Sequence, residues 1–209
     1  EDLLDGPTEN AVKLKNPLTS DHEYLRRTLV PSLLQVCMEN KKRESQKLFE
    51  IANVYIKSKG GLPDERLHLA CVIKNEGFSF PEAKGVVEQL FKTIGITKYS
   101  FEKKNDGIEG ATIKIAESYI GSIEIGDEIS FELDLFELLK HASAKKIYVE
   151  PAKFPPIIED VRIEIAPHYG FQKVVKTIKE VNELVHEVTL LDVYDTKKTF
   201  RITYLNRMA

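Results

Sequence analysis

The hydrophobic and polar positions near the C-terminus predict a strand, a helix and two further strands. Residues 161–165 alternate between apolar and polar side chains, which is typical of a half-buried strand. Residues 171–185 repeat apolar positions at helical spacing, and residues 188–194 and 199–204 are rich in strand-forming side chains. This β-α-β-β order is three quarters of a β-α-β-β-α-β unit, so we expect the chain to be a fragment of something larger.

The preceding part of the chain predicts an antiparallel sheet with helices. Two apolar runs, 48–56 and 67–73, flank the Gly- and Pro-containing segment 59–64, which favours an antiparallel hairpin. Pro31 and Pro81 suit the first turns of two helices, because proline lacks the N–H that a first turn leaves unpaired. The remaining predictions are strands at 12–15, 99–103, 111–115, 119–125 and 129–133, and helices from 31 toward the basic residues 41–43, at 81–94 and at 134–140.

The composition is that of a globular protein, with 42% hydrophobic and 30% charged residues among 209. A net charge of -3 argues against a general nucleic-acid coat but allows a local basic face, because local charge steers a polyanion. The segment 152–156, with two adjacent prolines, is the best linker candidate. We therefore expect two domains, 1–150 and 151–209.

Several features favour a cytoplasmic protein. No apolar run approaches the length that spans a bilayer, and the N-terminus lacks the basic and apolar regions of a signal peptide. Cys37 and Cys71 each stand in an apolar context, so buried thiols are expected rather than a disulfide or a zinc site. No membrane partner is expected.

A search for catalytic and metal-binding motifs predicts no site of either kind. The sequence has no phosphate-binding glycine loop, and its five histidines lack the spacing of metal ligands. His68 lies within an apolar run and is interpreted as a hydrogen-bonded core residue. The adjacent acidic pairs 127–128 and 159–160 would point to opposite faces of a strand, so neither pair can act as an acid and base on one substrate.

Seven segments, taken in order, match the pattern of one known family. They are Asn16-Pro17-Leu18-Thr19-Ser20, Leu25-Arg26-Arg27-Thr28-Leu29-Val30-Pro31-Ser32-Leu33-Leu34, Leu48-Phe49-Glu50-Ile51-Ala52-Asn53-Val54-Tyr55, residues 80–95, Phe154-Pro155-Pro156-Ile157, Leu191-Asp192-Val193-Tyr194 and Lys197-Lys198-Thr199. Together they resemble the C-terminal part of the beta subunit of bacterial phenylalanyl-tRNA synthetases. That family's pattern includes Asn-Pro-Leu, Leu-Phe-Glu-Ile-Gly-x-Val-Phe, Phe-Pro-x-Val, Phe-Asp-Val-Tyr and Lys-Lys-Ser.

The resemblance implies an α+β protein with two parts. Residues 1–150 would form a class II aminoacyl-tRNA synthetase-like antiparallel sheet with helices, and 151–209 a truncated ferredoxin-like (β-α-β-β) anticodon-binding unit. The first part would not catalyse, because no arginine stands beside Phe49, where a working motif two holds the carboxylate and α-phosphate. The parent enzyme would use ATP and Mg²⁺ in its alpha subunit, and this chain would bind no cofactor. The expected partners are the alpha subunit and tRNA(Phe), and not DNA.

The same resemblance implies an RNA-binding surface in the second part. Asp192 and Tyr194 alternate so as to project from one face of a strand, where tyrosine can stack on an unpaired base. Thr199 could supply a hydroxyl group, and Lys197 and Lys198 positive charge for phosphate.

Alternative interpretations remain open at this stage. Tyr194 would also suit a half-buried sheet position. Arg201 is expected, with Lys197 and Lys198, to add local positive charge for phosphate. Lys173, Lys176 and Lys179 fit the solvated side of the amphipathic helix. The chain could instead be a free-standing protein-interaction module on the class II fold. A third interpretation, amino-acid activation by this chain alone, predicts ATP–pyrophosphate exchange, which we do not expect.

Overall fold

The chain divides into two compact units, Glu1–Lys146 and Ile147–Ala209. The computed structural model describes residues 11–19, 23–75, 77, 79–104, 107–145, 150–166, 169 and 171–206. Residues 1–10, His22, residues 105–106 and His168 lie outside these residues.

The first unit contains a six-stranded antiparallel sheet, as the sequence predicts. The strands of the first unit are β1 (Val12–Lys13), β2 (Tyr24–Leu25), β3 (Gln46–Ile56), β4 (Asp64–Lys74), β5 (Ser100–Lys103), β6 (Gly110–Ile115), β7 (Ser118–Ile125) and β8 (Ile129–Asp134). Its helices are α1 (Val30–Glu39), α2 (Phe80–Thr93) and α3 (Leu135–Lys140). The sheet has the order β3-β4-β8-β7-β6-β5, and the two-residue strands β1 and β2 form a separate ladder. β2 was not predicted, because two residues are too few to show a period.

Strand β4 supplies apolar side chains to both faces of this sheet. Ala70 and Val72 pack with α1 in one buried cluster, while Cys71 and Ile73 belong to a second cluster that includes Phe91 of α2. A strand that is covered on both faces has a continuous apolar run rather than alternation, which is what residues 69–73 show. Both cysteines of the chain are free and buried, as predicted.

Local side-chain chemistry fixes the helix ends. In α2, Ser79 and Glu82 form a capping box that satisfies backbone N–H groups of the first turn. Gly95 follows this helix with a φ of +79°, and a Cβ there would lie 2.4 Å from the Ser143 carbonyl oxygen, so only glycine fits. Among the described residues, no helix has the length and apolar character needed to cross a membrane.

Helix α1 is shorter than predicted. It ends at Glu39, and the Asn40 side chain donates from Nδ2 to the Val36 carbonyl oxygen at 2.8 Å. The basic residues 41–43 therefore lie beyond the last turn, which contains no basic residue. An asparagine side chain can bond a backbone carbonyl group in this way and so end a helix. The positions of the basic residues did not indicate this end.

The second unit is a three-stranded antiparallel sheet with one helix. Its elements are β9 (Ile157–Glu164), α4 (Phe171–Val181), β10 (Val185–Tyr194) and β11 (Lys197–Tyr204). The order β10-β11-β9 makes β9 and β10 parallel, with β11 inserted between them and α4 as the crossover. The helix ends four residues before the predicted position 185. Asn182 forms a turn there, through its carbonyl to the Val185 N–H and its Oδ1 to the Leu184 N–H.

Candidate nucleic-acid interface

One face of the β9-β11-β10 sheet carries a polar row made by three strands. Arg162 lies opposite Thr199, and Thr199 lies opposite Asp192. Thr199 Oγ1 donates to Asp192 Oδ1 at 2.7 Å. Arg162 Nε donates to Thr199 Oγ1 at 3.0 Å, and Arg162 Nη2 lies 3.4 Å from Asp192 Oδ2. The predicted residues Asp192 and Thr199 are thus joined, and Arg162 holds both.

The next row lies at the β10–β11 turn and contains Tyr194, Lys197 and Glu164. The Tyr194 side chain is prominent on this surface, because the residue is 77% exposed. A two-residue turn joins Tyr194 to Lys197, and its first residue, Asp195, has a φ of +54°, which aspartate tolerates better than most residues. Tyr194 therefore presents its ring to solvent, and the alternative of a half-buried sheet position is not what the structure shows.

A third row pairs Asp160 with Arg201. Arg201 donates from Nε and Nη2 to the two carboxylate oxygens of Asp160, both at 2.8 Å. The hydrogen bond from Arg201 lowers the pKa of Asp160. The positive charge expected from Arg201 is therefore compensated locally, and this residue is a weaker candidate for phosphate contact than the sequence suggested.

Lys198 projects from the opposite face of the sheet. It lies opposite Val193 on β10 and Ile163 on β9, and shares its side of β11 with the buried residues Phe200 and Ile202. Four of the five predicted RNA-binding residues, Asp192, Tyr194, Lys197 and Thr199, therefore share a face, and the fifth does not. The separation follows from the two-residue period of a strand.

Arg162 is the residue of this surface that the sequence analysis missed. The alternation of residues 161–165 already showed that Arg162 is one of the polar positions of this strand. The strand register brings Arg162 to Thr199 and Asp192, which are 37 and 30 positions away, and no local pattern shows this pairing. On α4, Lys173, Lys176 and Lys179 are exposed, in line with the solvated side of that helix.

In the first unit, His68 is partly buried and hydrogen-bonded, as interpreted from the sequence. Its Nδ1 donates to Glu132 Oε1 at 2.7 Å. Glu132 also accepts from the Thr28 hydroxyl and, at 3.2 Å, from the Leu29 N–H at the start of α1. This strand carboxylate therefore caps a helix that has no capping side chain of its own. Among the described residues, no group of three or more His, Cys, Asp or Glu side chains is arranged to hold a metal ion.

Solved structures with a similar fold define the class to which this architecture belongs. Two structures of the pyrrolysyl-tRNA synthetase of Desulfitobacterium hafniense match with TM-scores of 0.53 and 0.52, each covering 63% of this chain and 52% of that chain. The sequence identity is 14%, so this likeness concerns the fold alone. The matched part of the chain is therefore similar in fold to a class II aminoacyl-tRNA synthetase.

The family is shown by the sequence comparisons. The family model described as "Phenylalanyl tRNA synthetase beta chain CLM domain" matches residues 1–126, and the chain belongs to this family. Curated relatives named phenylalanine–tRNA ligase beta subunit include that of Thermotoga maritima, 29% identical over 89% of this chain and 27% of its own length. That of Clostridium acetobutylicum is 27% identical over 93% of this chain and 27% of its own length.

These matches confirm the resemblance stated above. The relatives match 89% and 93% of this chain, which is more than the first unit contains, so the similarity extends into the second unit. The chain spans about a quarter of the length of the curated relatives it matches. The relatives favour a ligase subunit over a free-standing interaction module.

Proposed function

We propose that the chain is a non-catalytic part of the beta subunit of a phenylalanine–tRNA ligase, an enzyme that attaches phenylalanine to tRNA(Phe) using ATP. The observation that carries this proposal is the match of about 90% of the chain to proteins of that name. Within the parent enzyme, the first unit serves subunit assembly and the second contacts the anticodon region of the tRNA. The cytoplasm is the proposed location.

The second unit is proposed to be the β-α-β-β part of a ferredoxin-like anticodon-binding unit. The strand order supports this, because β9-α4-β10 with β11 between the parallel strands is a split β-α-β motif. Such a motif leaves one sheet face free of its crossover helix. That free face carries Asp192, Tyr194, Lys197 and Thr199.

The chemistry of this face suits unpaired RNA. An exposed tyrosine can stack on a base with a gain of about 1–3 kcal/mol. Asp192 holds hydrogen bonds from Thr199 and Arg162, yet a carboxylate has about four acceptor sites, so it can still accept from a base edge. Lys197 supplies positive charge for phosphate, while Arg162 holds Asp192 and Thr199 in place. Lys198, which the sequence suggested for phosphate contact, lies on the opposite face of the sheet and is left out of this proposal.

The first unit is proposed to bind the alpha subunit and to leave catalysis, ATP and Mg²⁺ to it. Phe49 and Ile51 support a docking surface, because they project from the same face of the outermost strand β3 and are 71% and 54% exposed. They lie opposite Cys71 and Leu69 of β4, so the surface continues an apolar face of the sheet. An exposed apolar strip on an edge strand is otherwise a liability for aggregation, and a permanent partner would cover it.

Co-purification tests the assembly role. The full-length beta subunit is co-expressed with a tagged alpha subunit, and the amount retained is compared between the unmodified protein and Phe49→Ser/Ile51→Ser. We expect the variant to lose retention by about tenfold or more, since each buried apolar side chain contributes about 1.5–3 kcal/mol. Leu62→Ser is the control, because Leu62 is also exposed but lies in the turn that follows β3. Equal retention of all three proteins would reject this surface.

A further inference from the structure

The three adjacent basic residues that follow α1, Lys41, Lys42 and Arg43, form a short exposed loop, the basic loop. The segment 39–47 around it contains four basic and two acidic residues, whereas the whole chain has a net charge of -3. A polyanion responds to such a local excess of charge rather than to the total.

The end of α1 does not account for these charges. Basic side chains often lie at a helix C-terminus, where they compensate its carbonyl groups. Here neutral amides do so, because the Val36 carbonyl accepts from Asn40 Nδ2 at 2.8 Å and the Cys37 carbonyl from Gln46 Nε2 at 3.0 Å. The basic loop lies beyond this end, so its side chains remain available to another partner.

The conformation of the basic loop is fixed by a buried side chain. Gln46, the first residue of β3, is buried, and its Nε2 donates to the carbonyl oxygens of Cys37 and Asn40 at 3.0 and 3.1 Å. The Arg43 N–H also donates to the Asn40 carbonyl, at 2.9 Å. The loop is therefore closed at its base, and a site that is already ordered loses less conformational freedom on binding.

The charge of the basic loop is not compensated by ion pairs. Lys41, Lys42 and Arg43 form no salt bridge with any other residue that the structure describes. In the second unit, by contrast, Arg162 lies 3.4 Å from Asp192 and Arg201 lies 2.8 Å from Asp160. The second unit thus offers an exposed ring and hydrogen-bonding groups, while the basic loop offers positive charge.

We propose that the basic loop binds the phosphate backbone of RNA, as a contact separate from the RNA-binding face of the second unit. This inference rests on the proposed function, since a phenylalanine–tRNA ligase binds a tRNA. Arg43 has the planar fork that holds two phosphate oxygens, and Lys41 and Lys42 act as point charges. Phosphate contacts position a nucleic acid without reading its sequence, so the basic loop contributes affinity that all tRNAs share.

Binding of tRNA(Phe) at increasing salt concentrations tests this contact in the full-length beta subunit assembled with its alpha subunit. Lys41→Ala/Lys42→Ala/Arg43→Ala should reduce the slope of log affinity against log salt by about two to three, since each phosphate contact contributes about 0.7–0.9. The affinity for a noncognate tRNA should fall by the same factor as that for tRNA(Phe), because the contact does not depend on sequence. Phenylalanine-dependent ATP–pyrophosphate exchange should be unchanged.

A matched control removes three other positive charges from the first unit. Lys59, Lys92 and Lys98 are exposed and separated along the chain, so Lys59→Ala/Lys92→Ala/Lys98→Ala makes the same change in net charge without removing a cluster. We expect the control to keep the slope of the unmodified protein. An equal loss of slope in both triple variants would show a general charge effect and overturn the proposal.

Other outcomes separate the basic loop from the proposed function. The proposal is overturned if the basic-loop variant keeps the slope of the unmodified protein, or if it no longer retains the alpha subunit, which would assign the loop to subunit assembly. Tyr194→Ala is measured in parallel: if it weakens tRNA(Phe) binding and the basic-loop variant does not, the proposed function stands and the basic-loop contact is rejected. If the unmodified assembly does not bind tRNA(Phe), both are rejected.

Discussion

Thr199 donates its hydroxyl to Asp192 Oδ1 at 2.7 Å, joining two neighbouring strands on the face that carries Tyr194. This bond fixes one oxygen of the carboxylate and leaves acceptor capacity for a ligand. Asp192 is exposed and Thr199 is half-buried, so the bond contributes to positioning more than to stability.

Replacing Thr199 tests this positioning role. Thr199→Val keeps the shape and removes the donor, so we expect the affinity for tRNA(Phe) to fall by a few-fold, in keeping with about 1 kcal/mol for one hydrogen bond. Thr199→Ser retains the hydroxyl and should retain the affinity. Filter binding of the full-length protein measures both. If the valine variant binds as tightly as the serine variant, the hydroxyl has no part in RNA binding.

Lys197 and Lys198 form a matched pair of adjacent residues on opposite faces of β11. If the face with Tyr194 binds RNA, Lys197→Ala should reduce the slope of log affinity against log salt by about one, as expected for one lost phosphate contact. Lys198→Ala should leave the slope unchanged. The reverse result would place the RNA on the helix side of the sheet, and a reduced slope in both variants would restore Lys198 to the interface.

Glu132 is predicted to stabilise the first unit, because it joins the start of α1 to the sheet and also accepts from His68. Glu132→Gln keeps the volume but cannot accept all three hydrogen bonds on carboxylate oxygens. We expect it to lower the free energy of unfolding by about 1–3 kcal/mol, measured by denaturant titration. The exposed residue Glu44 provides the control Glu44→Gln, which should stay within about 0.5 kcal/mol of the unmodified protein. A similar small effect for both would show that the cap is dispensable.

Burial raises the pKa of the Cys71 thiol from 9.0 to about 11. The folded state therefore favours the neutral thiol, and its contribution to stability is complete below pH 9 and lost as the pH rises toward 11. The free energy of unfolding should fall across this window by about 1–2 kcal/mol more in the unmodified protein than in Cys71→Ala, allowing for partial screening by solvent. Lysine and tyrosine titrations cancel in this difference. Parallel pH profiles for the two proteins would contradict a buried, neutral thiol.

Most strands and helices follow from local patterns, and the exceptions have physical causes. The hairpin of β3 and β4 and the helix after Ser79 follow from apolar periodicity and from turn and capping residues. The end of α1 depends on the hydrogen bond of the Asn40 side chain, and the basic residues 41–43 gave no indication of it. Alternation predicts which residues of one strand share a face, so Asp192 and Tyr194 were correctly grouped.

Contacts between distant strands could not be predicted in the same way. Thr28 and Glu132 are 104 positions apart, and no local signal joins them. The contribution of Arg162 likewise depends on the register of β9 against β11. The Nε of Arg27 is buried without a hydrogen-bond partner among the described residues, and the burial of a single atom cannot be predicted from the sequence.

The most direct test of the central claim replaces Tyr194 in the full-length beta subunit assembled with its alpha subunit. Aminoacylation of tRNA(Phe) and phenylalanine-dependent ATP–pyrophosphate exchange are measured for Tyr194→Ala, for Tyr194→Phe, which keeps a stacking ring, and for Val193→Ala on the opposite face. We predict that Tyr194→Ala lowers kcat/KM for tRNA by about tenfold or more, in line with the loss of one stacked base, while pyrophosphate exchange is unchanged. The other two variants should keep both activities. An equal loss of both activities in Tyr194→Ala, or no loss of aminoacylation, would contradict an anticodon-contact role for this face.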